Sequence, residues 1–125
     1  MAYGGRLYVL VDEMSCSAAT LFPANIMRSH RGVVIGRETR TAYGFMTALK
    51  FADFTLPNSK VNWRIPLVKC IFDETESPRI PWGRGVIPDV EVPFDDNYFL
   101  GKEDTILRRA LQMIADGEYL GENPF

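Results

Sequence analysis

Two adjacent residues, Ser17 and Ala18, form the pattern in this sequence that is most suggestive of chemistry. They follow an apolar run, residues 6–11, and an acidic pair, residues 12–13, at the point where a helix is predicted to begin. In α/β proteins, ligands gather at the carboxyl ends of strands, where the first N–H groups of the next helix have no partner. A serine hydroxyl at such a turn can act as a nucleophile, and the N–H after it can stabilise an oxyanion.

The same residues also have a purely structural interpretation. Serine is a preferred helix N-cap, so Ser15 or Ser17 can simply cap the helix that follows. The Gly-x-Ser-x-Gly turn of α/β hydrolases is absent, because positions 15 and 19 hold Ser and Ala. Residue types and spacing alone therefore leave both interpretations open.

Length and composition indicate one globular domain. The chain has 125 residues, of which 46% are hydrophobic and 24% charged, so it can bury a core of its own. The net charge is -2 and there is no basic stripe with interleaved aromatics, so a nucleic acid is not an expected partner. No apolar run approaches the ~20 residues that a membrane-spanning helix needs. Residues 1–6 lack the charged and then apolar pattern of a signal peptide.

Metal-ligating residues are scarce. Cys16 and Cys70 are the two cysteines and His30 is the one histidine, so neither a structural metal nor a cofactor is expected. The cysteines could pair in an oxidising compartment or remain as small apolar groups. Cys16 is expected in the core, because neighbouring residues of an extended chain face opposite ways.

Two strands and a helix are predicted to position Ser17. Residues 6–11 are apolar on both faces, which predicts a central strand covered on both sides. Residues 17–29 predict a helix, and residues 32–36, bracketed by glycines, predict a second strand parallel to the first. This order implies a βαβ crossover. The polar loop 37–44 should then lie at the same edge of the sheet as Ser17.

The apolar faces of two helices are predicted from helical spacing. The first face comprises Ala18, Leu21, Phe22 and Ile26. Pro23 lies inside this helix and predicts a kink or a regular helix that begins near it. A last helix, residues 103–115, is predicted to begin at Asp104 and to end at Gly117. Its predicted apolar face comprises Leu107, Ala110, Leu111 and Ile114.

The middle of the chain is β-like. Residues 48–56 and 61–68, separated by the turn 57–60, predict a β-hairpin. Pro66 places the second strand at an edge or ends its pairing. Residues 73–84 are acidic and then proline-rich, which predicts a mobile loop.

Four segments resemble the catalytic domain of the C-terminal processing, or tail-specific, serine peptidases, a family that includes the tricorn core proteases. They are Gly-Arg-Leu-Tyr-Val-Leu-Val-Asp at 5–12, Ser-Cys-Ser-Ala-Ala at 15–19, Gly-Val-Val-Ile-Gly-Arg-Glu-Thr at 32–39 and Gly-Val-Ile-Pro-Asp-Val-Glu-Val at 85–92. The resemblance implies a crotonase-like, ClpP-related ββα fold, here with an added hairpin and a C-terminal helix. It implies an endopeptidase that acts on polypeptide C-termini in the periplasm, at the cell envelope or after secretion.

The resemblance also implies a division of roles. It identifies Ser17 as the nucleophile and the Ala18 N–H as an oxyanion donor, with a second N–H from an upstream glycine. In the lysine-dependent branch of the family the position of the general base is Ala42 in this chain. Arg40 is no substitute, because arginine stays protonated. A base outside this chain, or one of three carboxylates, is the remaining candidate: Glu38, Glu74 and Glu76.

The remaining site expectations concern His30 and three residues of the loop 37–44. His30 lies roughly 20 Å from Ser17 along a helix, out of hydrogen-bond reach. Arg37, Thr39 and Arg40 are expected to bind substrate, the arginines by gripping a carboxylate through paired N–H groups. This assignment of roles describes a peptidase that is active as the intact protein, while the present chain by itself could be inactive.

Two broader expectations accompany these roles. The chain is expected to be the C-terminal part, residues 1–125, of a catalytic domain, without the family's upstream helical and PDZ-type regions. Its strand edges would be free to pair with a second copy. The alternative function is a non-catalytic peptide- or ligand-binding relative that lost the base, of the kind represented by the retinoid-binding protein of the eye.

Overall fold

A computed structural model describes residues 3–72, 74 and 81–121. The chain folds as mixed α/β, in agreement with the sequence. Its central sheet has three parallel strands in the order β1-β2-β7: β1 (Tyr8–Val11), β2 (Val33–Gly36) and β7 (Val90–Glu91). The predicted parallel pairing of the first two strands is confirmed, with Tyr8 opposite Val33 and Val11 opposite Gly36.

The position of β1 in the sheet differs from the prediction. β2 is the central strand and is buried along its whole length, whereas β1 is an edge strand among the described residues. Leu10 on β1 is 40% exposed. Helices pack against both strands, but β2 alone has a paired strand on each side. Apolar residues on both faces therefore predicted a burial that β2 reaches and β1 does not.

Helix α1 (Ala18–Arg28) follows β1 and runs through Pro23 without interruption. Its fully buried residues are Thr20, Pro23 and Ala24. The predicted apolar face is correct in part, since Leu21 packs against the core and Ile26 is half-buried, whereas Ala18 is exposed. Phe22, expected inside, is 55% exposed. The Thr20 hydroxyl donates to the Ser15 carbonyl at 3.2 Å, and this bond turns the Thr20 side of the helix inward.

Helix α3 (Thr105–Asp116) has the predicted ends and a different buried face. Asp104 Oδ1 accepts a hydrogen bond from the Leu107 N–H, and Gly117 ends the helix in the left-handed conformation that glycine favours. The buried residues are Thr105, Ile106, Ala110 and Met113. Of the predicted face only Ala110 is buried; the other three, Leu107, Leu111 and Ile114, are exposed.

The main core lies between the sheet and α3. Val33 and Ile35 of β2 pack with Ile106, Ala110 and Met113 of the helix. Val92, just after β7, closes the same cluster. Burial of the valine, isoleucine and methionine side chains, each worth about 1.5–3 kcal/mol, stabilises the sheet that carries the site.

Two antiparallel pairs lie outside the central sheet. Strands β4 (Phe51–Thr55) and β5 (Asn62–Pro66) form the predicted hairpin, which is therefore confirmed, with Pro66 as its last paired residue. All its residues except Ala52 are exposed. The second pair, β3 (Phe45–Met46) with β6 (Cys70–Ile71), has no counterpart in the sequence-based prediction, and neither has the short helix α2 (Asp96–Phe99).

The predictions for the two cysteines and for the loop 73–84 have different outcomes. Cys16 and Cys70 are both free thiols, and Cys16 is exposed, so the prediction that it lies in the core was wrong. The predicted loop 73–84 falls mostly outside the described residues, as does Glu76. No helix in the described part of the chain is long and apolar enough to cross a membrane.

Candidate active site

Ser17 stands at the N-cap of α1 in a backbone conformation that few residues adopt. Its φ is 55° and its ψ is -120°, and it is one of three non-glycine residues with positive φ in the described chain. Such a conformation costs on the order of 1–3 kcal/mol and is found mainly where the surroundings enforce it, often at functional sites. A strand-to-helix turn strained at serine is also how α/β hydrolases expose a nucleophile.

The Ser17 hydroxyl does not cap the helix. No side-chain capping hydrogen bond is formed at this N-cap, and the residue is exposed. Ser15 does not cap it either, because its hydroxyl bonds to the N–H and carboxylate of Asp12. The capping interpretation of both serines is therefore wrong, and the Ser17 hydroxyl is left available to solvent.

In the first turn of α1, the N–H group next to Ser17 has no hydrogen-bond partner among the described residues. The Ala19 and Thr20 N–H groups donate to the carbonyls of Cys16 and Ser17, at 3.0 and 2.9 Å. The N–H of Ala18, which is exposed, has no acceptor among the described residues. An unpaired N–H directly after a serine is the donor that an oxyanion needs.

Thr41 fixes the turn from the neighbouring loop, and sequence reasoning missed it. Its Oγ1 accepts a hydrogen bond from the Ser17 N–H at 2.9 Å and lies 2.8 Å from the Thr20 Oγ1. The Arg40 N–H adds a bond to the Ser15 carbonyl at 2.9 Å. Loop 37–44 and Ser17 therefore do meet at one edge of the sheet, as predicted. A polar loop at a strand end was the signal that could have identified Thr41.

The Gly-Val-Ile-Pro-Asp segment at 85–89 is hydrogen-bonded to loop 37–44. The Val86 N–H donates to Thr39 Oγ1 at 2.9 Å, and the Thr39 N–H donates to the Val86 carbonyl at 3.2 Å. A side chain at Gly85 would meet the Thr39 carbonyl oxygen at 2.0 Å, so only glycine fits. Asp89 Oδ2 accepts from the Val34 N–H at 2.8 Å and extends the pairing of β2.

A pocket of about 320 Å³ opens beside Ser17. Its wall is mainly apolar and is built by α1, the loop after β2 and the segment from β3 to β4. The apolar residues that line it are Leu21, Ala42, Phe45, Met46, Ala48 and Phe51. Thr41 and Thr47 are the polar residues beside Ser17 in this wall. The pocket therefore suits an apolar group.

The candidate bases are not brought to this pocket. None of the described residues that line it has a His, Lys, Asp or Glu side chain. Ala42, where the resemblance expects the lysine, does border the pocket. His30 follows the far end of α1, as predicted, and is exposed. Glu74 is exposed, and Glu76 is outside the described residues.

Glu38 is engaged elsewhere. Its carboxylate accepts hydrogen bonds from the Arg84 guanidinium, with Nε to Oε1 at 3.1 Å, and from the Gly85 N–H at 3.1 Å. This pairing raises the pKa of Arg84. Because these bonds hold the carboxylate toward Arg84 and Gly85 and Glu38 does not line the Ser17 pocket, the role of base considered for Glu38 has no geometric support.

Lys69 contacts a residue of the pocket wall but does not itself line the pocket. Lys69 Nζ lies 4.2 Å from the ring centroid of Phe45, a wall residue of the Ser17 pocket, and 5.4 Å from that of Trp82. Aromatic rings attract the charged ammonium, so these contacts hold the Lys69 side chain against Phe45 and Trp82.

The three predicted substrate-binding residues have different positions. Thr39 is buried, and its hydroxyl accepts the Val86 N–H, so its position is structural. Arg40 is exposed beside the Ser17 turn. Arg37 is buried, and its Nε donates to Glu13 Oε2 at 2.7 Å. It does not line the Ser17 pocket. Substrate binding by these residues stays a prediction.

Arg37 is the centre of a small cluster at the end of β1. Its guanidinium carbon lies 4.1 Å from the ring centroid of Phe94 and 4.5 Å from that of Tyr98. The Tyr98 hydroxyl donates to Glu13 Oε1 at 3.2 Å. The hydrogen bond from Arg37 holds the pKa of Glu13 below its usual range, and the bond to Glu13 raises the pKa of Tyr98.

Acid is expected to weaken this cluster. Because the pKa of Glu13 is lowered on folding, its contribution is complete above the unfolded pKa of about 4.3 and is lost as pH falls through the lower folded value. Since the Glu13 side chain is 41% exposed, we expect a loss of only about 1 kcal/mol. Urea unfolding between pH 7 and 3 should show a flatter profile for Glu13→Gln than for the wild type.

The control for this measurement is Glu91→Gln, which removes an exposed carboxylate to which the described residues make no ion pair. It should keep the wild-type profile. Identical profiles for Glu13→Gln and Glu91→Gln would contradict the assigned role of Glu13.

Comparison with known families gives the class of protein. The sequence model of peptidase family S41 matches residues 1–92, close to three quarters of the chain. The chain belongs to this family, and the resemblance described from the sequence is confirmed. A search of curated proteins finds no match.

The match also covers every element of the candidate site. The turn at Ser17, the loop with Thr41 and the Gly-Val-Ile-Pro-Asp segment all lie within residues 1–92. Helix α3 and the short helix α2 lie beyond it.

Proposed function

We propose that this chain supplies the nucleophile and the substrate pocket of a serine peptidase. Ser17 is the nucleophile, the Ala18 N–H is an oxyanion donor, and the substrate is a polypeptide. The observation that supports this proposal is the strained Ser17 turn, whose hydroxyl makes no capping bond. A capping role would account for the serine but not for the positive φ.

The chemistry follows from this arrangement. Ser17 Oγ attacks the carbonyl carbon of the scissile peptide bond, and the carbonyl oxygen becomes an oxyanion beside the Ala18 N–H. The C–N bond then breaks, the amine leaves with a proton, and water hydrolyses the acyl-serine. The apolar pocket beside Ser17 would hold an apolar substrate side chain next to the scissile bond.

The general base of this reaction would come from outside the wall of the Ser17 pocket. No described residue of the pocket wall is a base, so the proton of Ser17 would pass to a group outside the described residues or to a partner. Peptide cleavage in the periplasm or at the cell envelope belongs to this proposal as an expectation from the family.

A second function, binding of a peptide or apolar ligand without cleavage, has one observation in its favour. Ala42 borders the Ser17 pocket at the position where the resemblance expects a catalytic lysine. A pocket that keeps its apolar wall and lacks a base can still bind.

The two functions are separated by intact-mass analysis after treatment with a serine-directed fluorophosphonate. We expect one adduct on the wild type and on Ser15→Ala, and none on Ser17→Ala. Ser15→Ala is the matched control because Ser15 lies two residues before Ser17 and its hydroxyl is engaged by Asp12. A folded wild type that takes up no probe would favour the binding function.

A further inference from the structure

Two threonine hydroxyls connect the Ser17 N–H to the carbonyl of Ser15. Thr41 Oγ1 accepts the Ser17 N–H at 2.9 Å and lies 2.8 Å from Thr20 Oγ1, and the Thr20 hydroxyl donates to the Ser15 carbonyl at 3.2 Å. Thr20 belongs to helix α1, and Thr41 belongs to the loop that follows β2. This connection, the threonine bridge, closes a ring with the backbone of residues 15–17.

The hydroxyl protons of the threonine bridge all point the same way. A threonine hydroxyl has one proton to donate. Because Thr20 donates its proton to the Ser15 carbonyl, Thr41 is the donor in the contact between the two hydroxyls. The bonds therefore run in one direction, from the Ser17 N–H through Thr41 and Thr20 to Ser15. Hydrogen bonds aligned in this way strengthen one another.

The far end of the threonine bridge is firmly held. Thr20 is fully buried and Thr41 is half-buried, so water competes little for these bonds. The Ser15 carbonyl also accepts the Arg40 N–H at 2.9 Å, which uses its second acceptor site. Because Thr20 belongs to the helix and Arg40 to the loop, the bridge fixes Ser17 relative to both.

The bonds around Ser17 also fix the direction of the next peptide group. Thr41 holds the peptide plane before Ser17 through its N–H. The Ser17 carbonyl, in the plane after it, accepts the N–H groups of Thr20 and Leu21 at 2.9 and 3.2 Å. Only φ and ψ of Ser17 relate these two planes, so holding both planes holds both angles. The second plane contains the N–H of Ala18, the proposed oxyanion donor.

We infer that Thr41 and Thr20 are positioning residues for the candidate nucleophile. They keep Ser17 at its positive φ, with its hydroxyl and the Ala18 N–H in the relative orientation that attack and oxyanion binding need. Thr41 acts through the Ser17 N–H, and Thr20 acts through Thr41. This inference rests on the proposed function of Ser17.

The first test is the kinetics of fluorophosphonate labelling in two variants of Thr41. Thr41→Val nearly keeps the shape of the side chain and removes the hydroxyl, whereas Thr41→Ser keeps the hydroxyl. At saturating probe, we expect labelling to slow about 10-fold in Thr41→Val and to stay within about 2-fold of the wild type in Thr41→Ser. The probe concentration for half-maximal rate should not change, because the pocket wall is kept.

Thr20 and Thr105 extend this comparison. Thr20→Val should slow labelling and Thr20→Ser should restore it, as at position 41. Thr105→Val is the matched control, because Thr105 is also buried and its hydroxyl has no hydrogen-bond partner in the described structure. This control should be labelled at the wild-type rate.

The second test, amide hydrogen exchange followed by NMR, does not require a reactive serine. In Thr41→Val, the Ser17 amide should exchange at least ~10-fold faster, because its acceptor is gone. The Val34 amide, which Asp89 holds in the central strand, should keep its wild-type rate. Equal acceleration at both amides would show only a less stable protein and would overturn the inference.

The labelling results decide between the remaining outcomes. Unchanged labelling in Thr41→Val, or the same loss in Thr41→Val and Thr41→Ser, would overturn the inference. A folded wild type that takes up no probe would contradict the proposed nucleophile instead. In that case, faster exchange at Ser17 alone would still support positioning of the turn by Thr41, and unchanged exchange would contradict it.

Discussion

The Gly36→Ala variant is expected to be largely unfolded. Gly36 ends β2 with φ at 137°, and a Cβ there would lie 1.8 Å from the Val11 carbonyl oxygen. Relief by movement is blocked, because that same oxygen accepts the Arg37 N–H at 3.0 Å and Gly36 O accepts the Val92 N–H at 2.8 Å. The substitution would therefore break the pairing of all three parallel strands.

The expected cost exceeds about 4 kcal/mol, which is comparable with the whole stability of a small domain. Urea unfolding followed by far-ultraviolet circular dichroism measures it. Gly101→Ala is the matched control, since Gly101 also has positive φ, 62°, but nothing within 4 Å of the added carbon. This control should lose only about 1–2 kcal/mol. A Gly36→Ala protein as stable as the control would show that the strands can separate at this point.

The second large effect is expected from Ser17→Gly. It should lower fluorophosphonate reactivity by at least ~10³-fold, because the proposed nucleophile is removed. It should also be more stable than Ser17→Ala by about 1 kcal/mol, because glycine adopts positive φ without strain while alanine does not. The larger entropy of glycine in the unfolded chain offsets part of this gain.

Position 15 provides the internal control for this comparison. Ser15 is outside the positive-φ residues, and both replacements remove the hydrogen bonds that its hydroxyl makes to Asp12. Ser15→Gly should therefore be less stable than Ser15→Ala, the reverse of the order at position 17. If glycine were the less stable choice at both positions, the Ser17 turn would not be under strain.

The sequence predicted the elements better than their faces. In α3 the Asp104 cap and the Gly117 end were identifiable from residue type, because each has a local hydrogen-bond or conformational cause. Its buried face was not identifiable, since the helix carries two apolar stripes. Ile106, Ala110 and Met113 form the buried stripe, and the other stripe consists of the exposed Leu107, Leu111 and Ile114. Only packing against β2 selects between them.

The candidate site was predictable in part for similar reasons. Ser17 was found because it follows a strand, and its loop partners because parallel strands end at one edge. The backbone conformation of Ser17 could not be predicted from the sequence, because the residue types that suit a helix cap also suit a nucleophilic turn. Thr41 lies 24 residues away from the N–H that it accepts, and no local pattern reports such a contact.

The chain of support behind Ser17 has a consequence for folding. Thr41 holds the turn, Thr39 holds the loop of Thr41 by bonding to Val86, and that bond joins residues 47 apart in sequence. β7 must likewise close a loop of 55 residues before Val90 can pair with Ile35. The chain must lose the entropy of closing a long loop before the contacts that stabilise the closed loop can form. Such pairings therefore form slowly. The strained serine should thus be among the last features to form, and an incompletely synthesised chain would not yet display a reactive hydroxyl.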